Sequence, residues 1–136
     1  MNTNSQNFGN MFLKDAIKFY KFIYNGWQAS LKADLIESWN VGISHAFAMA
    51  TIELDAHSCL FHYDIAELNY EEVLHLIENF YSRLKRSINN FFKNGSGMGM
   101  WGAAVIATYC DFYFRITQLF NKYNINIENW ETEVED

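Results

Sequence analysis

Apolar residues recur along the chain at spacings of three and four, the period of a helix with one buried face. The first stripe runs through Phe8, Met11, Phe12, Phe19, Tyr20, Phe22, Ile23, Trp27 and Leu31, with Gly26 a candidate break or bend. The second holds Ile36, Trp39, Ile43, Phe47, Ala50, Leu54 and Phe61. Asp34-Leu-Ile-Glu37 has the spacing of a capping box, which predicts a helix from about Asp34 to about Asp64 with Gly42 a candidate kink.

Asn69-Tyr-Glu-Glu72 is a stronger start signal, with a capping residue and acids in the first turn, where the helix dipole favours them. The third stripe follows as Tyr70, Val73, Leu74, Ile77, Phe80, Tyr81, Leu84, Ile88 and Phe91, and Asn94-Gly95 ends it. A fourth helix is predicted from about Met98 to Tyr123, with Trp101, Val105, Thr108, Phe112, Ile116, Leu119 and Tyr123 on one side. Gly99, Gly102, Ala103, Ala104 and Ala107 line its first half, and no charge falls between Met98 and Cys110. The start of this helix is therefore expected to be the most enclosed part of the molecule.

These elements predict an all-α fold: a single-domain antiparallel bundle of about four long helices, connected up-down-up-down. The bundle takes residues 1–124. Residues 125–136 form an acidic C-terminal tail without a helical stripe, in which Ile125, Ile127 and Trp130 are the residues able to dock. Composition agrees. Half of the 136 residues are hydrophobic, which excludes extensive disorder, and the absence of proline argues against a turn-rich all-β fold. Residues Met1–Asn10 are polar and show no secretory signal. The longest uncharged run, Asn94 to Cys110, opens with Asn-Gly-Ser-Gly and falls short of the ~20 apolar residues of a membrane span. Cys59 and Cys110 read as buried thiols, and a cytoplasmic protein is expected, with no membrane role.

Charge changes the picture more. The net charge of −6 hides a segregation: residues 33–82 contain no Lys or Arg but hold Asp34, Glu37, Glu53, Asp55, Asp64, Glu67, Glu71, Glu72 and Glu78. All four histidines, His45, His57, His62 and His75, lie in the same stretch. Basic residues collect before it and in residues 83–124, and the tail is acidic again. Either acidic helices pack beside basic ones so that the fields cancel, or an acidic surface faces a basic partner. Nucleic acid is an unfavourable ligand for such a chain, because a phosphate backbone requires a basic stripe.

Three constellations in the sequence bear on chemistry. A di-iron bundle needs two Glu-x-x-His pairs, and only Glu72-Val-Leu-His75 is present, off the apolar stripe. Glu53 and His57, four apart on one helix face, are the alternative metal ligands, or a hydrogen-bonded core pair. Gly97-Met-Gly99-Met-Trp-Gly102 matches a dinucleotide fingerprint but follows a helix instead of a strand, so an interhelical turn is the better reading. No nucleophile sits in a recognisable local signature, and Asp111 and Arg115 have the spacing of a surface ion pair. The remaining anomaly is the load of four Trp, eight Tyr and twelve Phe, which suits an aromatic interface or simple compositional bias.

The expectation that follows is a non-enzymatic interaction module without a cofactor. Its concrete form is an acidic inhibitor or immunity protein that neutralises a basic protein partner such as a bacterial nuclease toxin. The expected contacts are Asp55, Asp64, Glu67, Glu71 and Glu78, followed by Trp130, Glu131 and Glu133. The alternatives are a ferritin-like metal bundle using Glu53 and His57, and a homodimer or other homo-oligomer built on the surplus aromatics.

Overall fold

A computed structural model describes residues 2–56, 69–94 and 99–126, with side chains from residue 8 to 54 in the first of these segments. Four helices account for most of them: α1 (Asn2–Ser30), α2 (Ser38–Ala56), α3 (Tyr70–Asn94) and α4 (Gly99–Lys122). The fold is all-α. No helix among the described residues is long and apolar enough to cross a membrane.

The helices alternate in direction. Phe12 of α1 meets Tyr70 at the start of α3 and Tyr123 just past the end of α4. Phe22 meets Phe47 of α2 and Phe112 of α4. Phe112, fully buried, also packs its ring against Phe47 and Phe80, so it joins all four helices in one core. Phe12, Tyr20, Ile23, Ile77, Ile116 and Phe120 are enclosed with it. The apolar stripe of α3 forms the core face expected of it, with Leu76 added, whereas in α1 the buried face runs Phe12, Leu13, Ala16, Ile17, Tyr20 and Ile23, and Phe8, Met11 and Leu31 of the expected stripe are exposed.

Three further sequence expectations need correction. Helix α2 begins at Ser38, not near Asp34. The Asp34 carboxylate accepts from the Ile36 backbone N–H at 3.0 Å, which closes a tight turn, and Glu37 N–H bonds the Asp34 carbonyl. Asp34 therefore ends the connection and does not cap the helix, and Ile36, expected in the stripe, is 92% exposed.

Gly26 and Gly42 break nothing. Both lie inside continuous helices, and each is a point of close approach. A Cβ at Gly26 would fall 2.2 Å from the Phe47 ring, and one at Gly42 would fall 2.5 Å from the Trp101 carbonyl oxygen. The most extensive backbone packing is between α2 and α4, which run parallel.

The start of α4 is not the most enclosed region. Gly102 and Ala104–Ile106 are buried, but Met100 and Ala107 are exposed, and the deepest burial lies further on, at Phe112, Ile116 and Phe120. Of the small residues there, Ala104 lies against Gly42 of α2.

Helix α4 ends in a Schellman turn: Asn124 adopts a left-handed φ of 55°, Ile125 N–H bonds the Phe120 carbonyl at 2.9 Å, and Asn124 N–H bonds that of Asn121. Ile125 packs against the core, as its sequence allowed. The expected end of α2 near Asp64, Phe61, Cys59 and the tail residues Ile127 and Trp130 lie outside the described residues.

Candidate functional site

Helix α3 opens as the sequence required. The Asn69 side chain accepts the Glu72 backbone N–H at 3.1 Å, and the Asn69 carbonyl accepts that of Val73. This fixes Glu71 and Glu72 in the first helical turn, both exposed. There they oppose the positive end of the helix dipole. Neither forms an ion pair among the described residues.

Nearly two turns on, Glu78 is half-buried, 3.7 Å from the exposed His75 imidazole. Burial pushes its carboxyl above the usual range, and His75 offsets that only in part. The same two acids, Glu78 and Glu71, add to burial in raising the Tyr70 phenol.

Glu53 is the other half-buried acid of the stretch, and it is matched. Arg83 of α3 reaches across to it at 3.3 Å, which ties α2 to α3. Glu53 therefore has a cationic partner irrespective of His57, which lies outside the described residues. Glu72 and His75 both face solvent, and no cluster of three or more His, Cys, Asp or Glu able to hold a metal occurs among the described residues. Beside this tie lies an open groove of about 610 Å³, lined by Glu72, His75, Asn79, Arg83 and Arg86 of α3 and by Glu53. Sequence reading missed this groove, although the spacing 72, 75, 79, 83, 86 marks one polar helix face.

Two basic residues of the second half, Lys122 and Arg115, pair outside the acidic stretch. Lys122 pairs with Asp15 at 2.7 Å, and the Tyr123 hydroxyl donates to the same carboxylate. Burial raises the Asp15 carboxyl. The hydrogen bonds from Lys122 and Tyr123 and the charges of Lys122 and Lys18 outweigh that and hold it below its ordinary value. Arg115 pairs with Asp111 at 2.8 Å, as the spacing predicted, while its guanidinium lies 3.8 Å over the Phe22 ring. Of the acids between residues 33 and 82 whose side chains are described, only Glu53 meets a lysine or arginine. Asp34, Glu37, Glu71 and Glu72 are exposed. The internal cancellation of charge that the sequence left open is thus slight for the described acids of this stretch.

Of the expected contact residues, the structure describes Glu71, exposed, and Glu78, half-buried. The side chains of Asp55, Asp64, Glu67, Trp130, Glu131 and Glu133 lie outside the described residues. Cys110 is half-buried, and burial pushes its thiol up, away from the thiolate that nucleophilic chemistry uses. No protein family model, curated protein or solved structure significantly matches the chain.

Proposed function

We propose that the chain is a non-enzymatic interaction module: an acidic inhibitor or immunity protein that covers the cationic cleft of a basic protein, a nuclease toxin being the partner its chemistry suits. The observation that carries this reading is the exposed pair Glu71 and Glu72. They stand in a stretch of fifty residues that holds no compensating Lys or Arg of its own. A nuclease gathers positive charge where it binds phosphate, and an acidic surface there competes with the substrate. Complementary charge of this kind raises the rate of encounter first and affinity second. Glu78 is drawn partly into its own helix, so the weight of the surface falls on Glu71 with Glu72.

The test is affinity purification from the native host with the full chain and with a Glu71→Lys/Glu72→Lys variant, at low and at physiological salt. The reading expects a protein of strongly basic isoelectric point, retained one-to-one by the wild type and lost with charge reversal. It also expects an association rate for the purified pair that falls about tenfold or more between low and physiological salt. A partner that is not basic, or one held equally by the variant, refutes the reading.

A further inference from the structure

Helices α1 and α4 run antiparallel and are bridged by side chains, while their backbones hardly meet. An open groove of about 330 Å³ lies between them. Asp15 holds Lys122 at one end of it, and the Arg115 guanidinium covers the Phe22 ring toward the other. Phe19, Phe22 and Leu119 line it as half-buried apolar surface backed by the core. Lys18, Arg115 and Lys122 line it too, and all three are exposed.

The groove carries surplus positive charge. Lys122 is matched by Asp15 and Arg115 by Asp111. Asp15 is the sole acid of residues 1–32, where Lys14, Lys18 and Lys21 stand at i, i+4 and i+7 on one face of α1. Lys14 and Lys18 are exposed, and neither forms an ion pair among the described residues. An apolar surface flanked by unanswered cations suits an acidic segment with an aromatic anchor.

The chain itself supplies such a segment. Residues 127–136 hold Glu128, Glu131, Glu133, Glu135 and Asp136, no Lys or Arg, and a single large aromatic, Trp130. They follow the turn that closes α4, where Asn124 takes its left-handed φ and Ile125 packs against the core. The chain is therefore released at the Lys122 end of the groove. From Lys122 to Arg115 is ~10 Å along the helix, whereas residues 127–136 reach up to ~33 Å when extended. Trp130, four positions past Asn126, reaches ~13 Å, enough for Phe19 and Leu119. A segment tethered this closely meets the groove at an effective concentration on the order of millimolar, so modest contacts suffice to hold it.

We infer that residues 127–136 dock back into the α1–α4 groove, with Trp130 against Phe19 and Leu119 and the tail carboxylates against Lys14 and Lys18. The groove then competes with any basic partner for Trp130, Glu131 and Glu133. Glu71 and Glu72 lie on α3 and take no part, so the docking holds whether or not they meet a basic protein.

Nuclear magnetic resonance of the isotope-labelled full chain tests this. Nuclear Overhauser contacts from the Trp130 ring to Phe19 and Leu119 are expected at low salt. They are expected to be lost in Lys14→Glu/Lys18→Glu and in Glu131→Lys/Glu133→Lys, and to return when the two pairs of substitutions are combined. Should the α1 variant lower the thermal melt, Glu131→Gln/Glu133→Gln removes the same attraction without touching the bundle and is expected to lose the contacts as well. Absence of Trp130 contacts to the groove in the wild type overturns the inference. Contacts that survive both charge reversals also overturn it. Contacts seen only between chains, in a mixture of labelled and unlabelled protein, overturn it in favour of a second copy's tail.

Discussion

Replacing Gly42 by alanine tests how α2 and α4 meet. In an isolated helix the change is favourable, by up to ~1 kcal/mol, because glycine costs backbone entropy. Here the added Cβ would sit 2.5 Å from the Trp101 carbonyl oxygen and 2.7 Å from the Ala104 Cβ. Neither atom can rotate away, since one is backbone and the other is fixed to it, so the two helices must part. Overpacking of this kind costs ~1–3 kcal/mol, and an immovable neighbour places it at the upper end. The net expectation is a loss of ~2 kcal/mol. That lowers the urea midpoint by about 1 M at an m-value typical of this size, with the m-value itself unchanged. Gly9→Ala is the control: its Cβ would meet only the Tyr70 ring at an ordinary 3.8 Å, so it is expected to be neutral or slightly stabilising. A Gly42→Ala protein as stable as the wild type would refute the reasoning, because the helices would then not be held at this distance by the missing side chain.

Two carboxyls give opposite pH signatures. The folded-state value of Asp15 is lowered, so its contribution is present above the unfolded value and lost as the pH falls below about 4. Asp15→Asn is expected to melt lower than wild type at neutral pH and to converge with it in acid. The folded-state value of Glu78 is raised, so its contribution is present below the unfolded value and lost as the pH rises through the folded one. Glu78→Gln is expected to melt higher than wild type at pH 7 and level with it near pH 3. Thermal melts across pH 3–7 check both, and a shift of the same sign for the two variants contradicts the assignments. Asn69→Ala removes the acceptor that holds the Glu72 N–H and is expected to cost ~1 kcal/mol, read from the urea midpoint.

What the sequence disclosed was set by distance along the chain. The α3 cap and the Asp111–Arg115 pair are local, and the residues that make them lie within four positions of one another. The pair of Asp15 with Lys122 spans 107 positions and no pattern announces it. Local chemistry also misled once. Asp34 and Glu37 have capping-box spacing, but the carboxylate bonds two residues on instead of three, and the difference lies in the backbone angles alone. The two helical glycines were ambiguous for another reason. A glycine that interrupts a helix and one that admits a neighbour look alike until the opposing residue is known, here Phe47 for Gly26 and Trp101 for Gly42. The acidic surface was legible as composition. That Glu53 alone of its described members is answered by a lysine or arginine depended on how α2 lies beside α3.

The contact of α2 with α4 has a consequence for synthesis. Residues 38–56 leave the ribosome well before residues 99–122, and until then the Gly42 face of the nascent chain has no mate. Pairings this remote in sequence form late, because the loop between them must close first. A chain arrested after residue 94 should therefore expose α2 to protease and to chaperones, and only release of the final helix should bring protection.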